Sequence, residues 1–88
     1  MTKTLTIAAV LALSPLSAWA DANCFVPMAD WQPREAVARL AEENGWQVRR
    51  IKIDDGCYQI RATDSQGRRI EVTVQPDTLA VLEFEIDD

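Results

Sequence analysis

The spacing of apolar residues changes along the chain and divides it into segments of different kinds. Residues 5–13 form a largely apolar run that ends at Ser14-Pro15. Between residues 33 and 44, the apolar positions recur every three or four residues, which is typical of an amphipathic helix. From Trp46 onwards they mostly alternate with polar residues, which indicates strands with one buried face. The pattern therefore predicts one helix followed by a sheet.

Residues 1–20 have the organisation of a secretory signal peptide. Lys3 supplies the positive end, residues 5–13 supply the apolar segment, and an Ala-Trp-Ala tripeptide ending at Ala20 supplies the small residues of a cleavage site. We expect cleavage after Ala20, with Ala22 as the alternative. A membrane anchor would need about 20 apolar residues, so the sequence predicts a periplasmic or secreted protein without a membrane span.

Four strands are expected after the helix, because three turn sequences divide the alternating region. Asp, Gly, Asn, Ser and Pro favour turns, and they cluster at residues 54–56, 64–67 and 75–78. Parallel neighbours would need crossovers of about a dozen residues, so these short turns favour an antiparallel meander. In the fourth strand, the even-numbered apolar residues from Ala80 to Ile86 are expected on the apolar face.

The first strand contains a break in its alternation. By simple count Trp46 and Val48 lie on one face, whereas Ile51 and Ile53 lie on the other. A β-bulge at Arg49-Arg50 would bring all four apolar side chains to the same side. That face would pack against the apolar stripe of the helix. The predicted fold is α+β, with one N-terminal helix packed on a four-stranded antiparallel meander sheet.

Two cysteines remain in the predicted mature domain, residues 21–88. Cysteines of exported chains that occur in even number usually pair, so we expect a disulfide between Cys24 and Cys57. The alternative is a pair of free thiols that act as a nucleophile or as metal ligands. The chain contains no histidine to serve as base or co-ligand, and the two cysteines lack Cys-x-x-Cys spacing. We therefore favour the disulfide.

The mature domain is acidic, but its basic residues are concentrated in one region. Without Lys3 it contains 8 basic and 14 acidic residues, a net charge of −6, which disfavours nucleic acid as a partner. Six of the eight basic residues lie between positions 49 and 69. A basic stripe on the outer side of the sheet could attract an acidic peptide or protein surface. The candidate partner-binding residues of this stripe are Arg49, Arg50, Lys52, Arg61 and Arg69.

Two simpler explanations compete with partner binding. Arg and Glu on adjacent strands commonly pair across a solvated sheet, and Glu83 and Glu85 would line the fourth strand. Trp31, the remaining candidate, could serve as an aromatic anchor for a partner, or it could pack on the first turn of the helix as a hydrophobic staple. The sequence leaves both alternatives open.

The helix that ends at Asn44-Gly45, together with the three turns, resembles the PepSY domain of protease propeptides and bacterial envelope proteins. The residues that carry this resemblance are Ile53-Asp54-Asp55-Gly56-Cys57-Tyr58-Gln59-Ile60, Asp64-Ser65-Gln66-Gly67 and Val74-Gln75-Pro76-Asp77-Thr78. The resemblance implies a non-catalytic binding module of the kind proposed to restrain proteases. Where the family often has Val-Asp-Pro-x-Thr-Gly, this chain has Gln75 and Leu79, so its last turn is expected to differ in shape.

Catalysis and metal binding have little support in the sequence. Without histidine, a Ser/His/Asp arrangement is excluded. Two carboxylate pairs remain, but Asp54-Asp55 falls in a turn and Glu83 with Glu85 falls on a solvated strand face. We therefore expect no enzyme activity, no metal and no cofactor.

Two functional hypotheses follow from these patterns. The first is a small exported module that binds a protein or peptide, with a protease as one candidate partner, through its outer sheet face or an edge strand. The second is an envelope structural or ligand-sensing accessory that holds a small molecule between helix and sheet. The sequence does not indicate the oligomeric state.

Overall fold

A computed structural model describes residues 22–87, and the predicted signal peptide lies outside the described residues. An irregular lead-in with a single 3-10 turn, Met28–Asp30, precedes the helix. The elements then follow in the order α1 (Arg34–Glu43), β1 (Gln47–Asp54), β2 (Cys57–Thr63), β3 (Arg69–Val74) and β4 (Val81–Ile86). The strands form one antiparallel sheet in sequence order, so the predicted α+β meander is confirmed.

The helix forms where the three- and four-residue spacing predicts it, and it starts one residue later than expected. Pro33 caps the helix in an extended conformation, and Val37 and Ala41 are its fully buried residues. At the other end, the N–H of Gly45 donates to the carbonyl of Glu42, and the N–H of Trp46 donates to that of Ala41. This is a Schellman motif, which satisfies two of the last carbonyls of the helix and turns the chain into β1.

The predicted bulge in β1 is present. Val48 pairs with Ala62 and Arg50 pairs with Arg61, so Arg49 is the extra residue. Beyond it, Ile51 pairs with the fully buried Ile60, so the apolar side chains before and after the bulge lie on the inner face of the sheet, the face that carries the core.

The core lies between α1 and the inner face of the sheet. Its buried residues come from one helix position and from β2 and β3, and six partly buried side chains, including Trp46 and Leu79, pack around it. Burial of each large aliphatic side chain contributes about 1.5–3 kcal/mol. The buried members of the core are Val37, Tyr58, Ile60, Ala62, Ile70, Val72 and Val74.

The disulfide between Cys24 and Cys57 is confirmed, and it ties the lead-in to the first hairpin. The two cysteines are buried, their Cα atoms are 5.1 Å apart, and they are separated by 33 positions in sequence. The hairpin turns through Asp55 and Gly56, both of which have positive φ, as a two-residue type I′ turn requires. The N–H of Cys24 donates to the carbonyl of Asp55 at 3.0 Å, so the lead-in lies directly against this turn.

The fourth strand differs from the prediction at its start. The β3–β4 register shifts between Thr73 and Val74, so that Val81 pairs with Val74 and Leu82 is the extra residue. The expectation that all even-numbered residues from Ala80 share the inner face was therefore wrong before the bulge. After it, Phe84 and Ile86 lie opposite the buried Val72 and Ile70, as expected.

The turn before β4 keeps a conformation that usually calls for glycine. Leu79 has φ 62°, and its N–H donates to the carbonyl of Gln75 at 2.8 Å. A left-handed residue other than Gly costs about 1–2 kcal/mol. Leu79 also packs against the core, and this burial offsets part of that cost.

The turn between β2 and β3 is organised around Asp64. Its carboxylate accepts hydrogen bonds from the backbone N–H groups of Gln66 and Arg68 and from Nε of Arg68, all at 2.8–2.9 Å. The backbone bond from Arg68, with the other bonds and the guanidinium charge, lowers the pKa of Asp64 below its ordinary value of 3.8.

Replacing Asp64 by asparagine is expected to destabilise the protein at neutral pH and to have a smaller effect in acid. Because the folded-state pKa is lowered, the carboxylate contributes stability above 3.8, and this contribution is lost as the pH falls through the lower folded value. Thermal melting of native protein and variant between about pH 7 and pH 2 measures the difference in Tm. A difference that stays constant over this range would contradict the assignment.

Within residues 22–87, no helix has the length and apolar character that a membrane crossing requires.

Candidate functional site

The outer face of the sheet, which points away from α1, carries most of the charged side chains of the strands. Cross-strand pairing arranges these side chains in two rows that run from β1 to β4. The first row is Arg50, Arg61, Glu71 and Glu85, and the second row is Lys52, Gln59, Thr73 and Glu83.

Charge on this face is separated and does not alternate. In the first row, Arg50 lies opposite Arg61, and Glu71 lies opposite Glu85. Like charges directly opposite each other are destabilising by up to about 1 kcal/mol. The β1–β2 half of the outer face, with Arg50, Lys52 and Arg61, is therefore basic, and we call it the basic half. The β3–β4 half, with Glu71, Glu83 and Glu85, is acidic.

A single ion pair joins the two halves among the described residues of the face. Nε of Arg61 lies 3.1 Å from Oε2 of Glu71. This Nε is shielded from solvent and has no aligned hydrogen-bond partner, so the pair is an electrostatic contact without a well-formed hydrogen bond. With the Arg61 side chain 41% exposed, such a pair contributes only a few tenths of a kcal/mol. The simple solvated-pairing alternative therefore accounts for one pair of charges on this face.

The five basic candidates occupy different positions around the basic half. Arg50, Lys52 and Arg61 lie in the two rows, whereas Arg49 is the bulge residue of β1. Arg69 pairs with Thr63 on the same face, one step towards the β2–β3 turn from Arg61. Apart from Arg61, none of these five side chains forms an ion pair with a described residue. Their role in partner binding stays a prediction.

Trp31 does not lie beside the basic half. Its ring makes an edge contact with Tyr58, with 5.2 Å between the ring centroids, and Tyr58 belongs to the inner face. The indole N–H donates to the carbonyl of Val26 at 2.9 Å, and the Tyr58 hydroxyl donates to that of Gln32 at 2.6 Å. Trp31 therefore holds the lead-in against the sheet and is separated from the arginines by the sheet itself. Its use as an aromatic anchor stays a prediction.

The inner side of β4 is the surface that the sequence did not single out. Phe84 and Ile86 face inward, yet they are 47% and 44% exposed, and the backbone of α1 comes close to that of β1 but not to that of β4. Trp46 reaches Phe84 at 5.8 Å between centroids and covers part of it. The alternation of β4 gave the direction of these side chains, but it gave no sign that the helix stops short of them.

A shallow depression at the end of the helix offers space for a small ligand. It has a volume of about 390 Å³ and is lined by Ala38, Glu42, Gly45, Trp46, Gln47 and Val48. Between α1 and the centre of the sheet, Val37, Ile60 and Val72 are fully buried. Residues 22–87 also hold no group of three or more His, Cys, Asp or Glu side chains that could hold a metal ion. The expectation of no metal and no cofactor stays a prediction.

Comparison with protein families identifies the fold. The model of the peptidase propeptide and YPEB domain matches residues 4–85, and neither the curated proteins nor the solved structures gave a match. Domains of this family are generally propeptide or inhibitor-like modules, and they are typically extracellular or periplasmic. The Cys24–Cys57 disulfide fits an oxidising compartment. Since the match covers nearly the whole chain, this protein belongs to the peptidase propeptide and YPEB (PepSY) domain family.

Proposed function

We propose that this protein is an exported, non-catalytic binding module that holds the acidic surface of a partner protein, with a peptidase as the leading candidate, on the basic half of its outer face. The observation that carries this proposal is the pairing of like charges across strands. A sheet that used its charges only for its own stability would place every Arg opposite Glu, whereas here Arg61 faces Glu71 on one side and Arg50 on the other.

Electrostatic complementarity explains why such an arrangement favours binding. Two neighbouring arginines repel each other in the free protein, and an acidic partner that approaches them relieves this repulsion. A concentrated patch also steers an acidic partner towards an otherwise acidic molecule, since the fields of nearby charges add. The hydrogen-bonded strands hold these side chains on one surface, so little ordering of the backbone is needed on binding.

The ligand-sensing alternative rests on the depression at the end of α1. That depression is open and shallow, whereas small-molecule sites usually enclose most of the ligand surface. Between helix and sheet, the side chains of Val37, Ile60 and Val72 are fully buried. Protein binding is therefore the better supported function.

Reversing the charge of Arg50 is expected to weaken capture of the partner strongly. In the test, immobilised oxidised protein is exposed to an extract of the exporting compartment, and the retained proteins are identified by mass spectrometry. Arg50→Glu converts a repulsive Arg–Arg neighbour pair into an attractive one, so it weakens the positive charge of the basic half without a cost in stability. We expect retention of an acidic-surfaced protein to fall at least about tenfold.

Arg39→Glu is the matched control, because Arg39 is exposed on α1 and the substitution changes the net charge equally. The control is expected to retain the partner as the native protein does. Equal losses for both variants would mean that only net charge matters. If a peptidase is retained, its hydrolysis of a peptide substrate is then measured with and without stoichiometric native protein, and a decrease is expected.

A further inference from the structure

The two edges of the sheet differ in how they are protected. On β1, the guanidinium of Arg34 donates from α1 to the carbonyl of Ile51 at 2.8 Å. The bulge at Arg49 also interrupts this edge. A bulge, basic side chains and a covering helix are common protections against pairing with another chain. The β1 edge is therefore protected at Ile51 and at the bulge against pairing with a further strand.

The β4 edge has no such cover. Among the described elements, only β3 has its backbone close to that of β4, and the bulge at Leu82 lies near the start of β4, which leaves Glu83 to Ile86 in regular register. The N–H of Asp87 donates to the carbonyl of Arg69, and hydrogen-bonded pairs alternate along an antiparallel ladder. The N–H and C=O groups of Phe84 and Ile86 therefore point away from β3, towards the open edge.

Side chains on this edge form two chemically different rows. Phe84 and Ile86 present half-exposed apolar surface on the inner side. Glu83 and Glu85 lie on the outer side, and neither forms an ion pair with a described residue. A strand added beside β4 would place its own side chains alternately against these two rows.

From this arrangement we infer that the β4 edge binds an extended peptide segment of another protein in which apolar and basic residues alternate. The apolar side chains of the segment lie beside Phe84 and Ile86, and its Lys or Arg side chains lie beside Glu83 and Glu85. Its backbone pairs with the free N–H and C=O groups of Phe84 and Ile86. This site is separate from the basic half of the outer face and does not depend on it.

Electrostatic repulsion makes a second copy of this chain an unfavourable partner for the β4 edge. Two β4 strands paired about a twofold axis would place glutamates opposite glutamates, which is unfavourable at neutral pH. Pairing of β4 with the β1 strand of another copy would place acidic residues beside basic ones. On that edge, however, the Ile51 carbonyl already accepts a hydrogen bond from the Arg34 side chain. A basic and apolar strand from a different protein meets neither obstacle.

The test uses ¹⁵N-labelled oxidised protein and the blocked peptide Thr-Lys-Val-Lys-Val-Lys-Val-Thr. Titration followed by amide spectra is expected to shift the β4 resonances, and hydrogen exchange at the amides of Phe84 and Ile86 is expected to slow. The same peptide with Glu in place of Lys, and one with N-methylated valines, are expected to bind at least about tenfold more weakly. Both peptide controls use the native protein, so neither depends on the folding of a variant.

The protein variant is Glu83→Lys with Glu85→Lys, and it is expected to weaken binding of the Lys peptide at least about tenfold. Glu42→Lys with Glu43→Lys on α1 changes the net charge equally at exposed positions and is expected to bind as the native protein does. Arg50→Glu is also expected to leave peptide binding unchanged, which separates this site from the proposed partner face.

Several results would overturn the inference. One is the absence of β4 shifts at saturating peptide, and another is equal binding of the N-methylated peptide. A native protein that dimerises through β4 and does not bind the peptide would assign the edge to a second copy instead.

Discussion

Removing the Cys24–Cys57 disulfide is expected to lower the free energy of unfolding by about 4 kcal/mol. The bond closes a loop over 33 positions of sequence, and the chain-entropy model gives about this value for a loop of that length. A domain of this size has a small core, so the loss is a large share of its total stability. Urea denaturation of the native protein and of Cys24→Ala with Cys57→Ala measures the difference.

Reductant provides the control for this experiment. Added to native protein, it should reproduce the unfolding midpoint of the double alanine variant, whereas it should leave the midpoint of the variant itself unchanged. The slope of the transition should increase on loss of the bond, because the unfolded chain then exposes more surface. A difference below about 1 kcal/mol between the native protein and the variant would mean that the disulfide does not stabilise the fold.

Replacing Gly56 by alanine is expected to lower the free energy of unfolding by about 3 kcal/mol. Gly56 has φ +79°, where a side chain costs about 1–2 kcal/mol. In addition, an alanine Cβ would lie far inside van der Waals distance of the carbonyl oxygen of Cys24. That contact is with backbone held by the disulfide and by the Cys24–Asp55 hydrogen bond, so relieving it must shift the lead-in.

Gly67→Ala isolates the contribution of the crowded contact. Gly67 has nearly the same conformation, φ +81°, but a Cβ there would meet no atom within 4 Å. We expect this control to cost only about 1–2 kcal/mol, the conformational part alone. Chemical denaturation of both variants provides the comparison, and equal losses would show that the approach of Cys24 to the turn is not close in solution.

Local sequence signals account for most of the fold. The helix spacing, the turn residues around Gly56 and the pairing of the two cysteines each depend on short segments or on the predicted compartment, and each of these structural features was confirmed. Even the β1 bulge could be predicted, because Trp46 and Ile51 are out of phase and only an extra residue restores a single apolar face.

The register at the start of β4 could not be predicted, because the sequence there does not favour one phase of alternation over the other. Val81 and Leu82 are both apolar, so alternation there permits two registers, and the choice depends on how β3 pairs with the strand. The exposure of Phe84 likewise depends on where α1 crosses the sheet, and that position is set by tertiary packing.

The candidate site was predicted as a set of residues but not as an arrangement. The sequence places Arg50, Arg61 and Glu71 on one face, yet which of them are neighbours depends on the strand register after the bulge. Had Arg49 not been extra, the row would have shifted by one residue and Arg50 would have faced inward. The separation of charge that carries the proposed function is therefore visible only in the folded sheet.

The capture experiment tests the central claim most directly. It compares the native protein with Arg50→Glu, and Arg39→Glu is the control. The account predicts that the native protein and Arg39→Glu retain the same acidic-surfaced partner from the exporting compartment, whereas Arg50→Glu retains far less of it. Equal retention by all three proteins, or retention by none, would contradict the assignment of partner binding to the basic half.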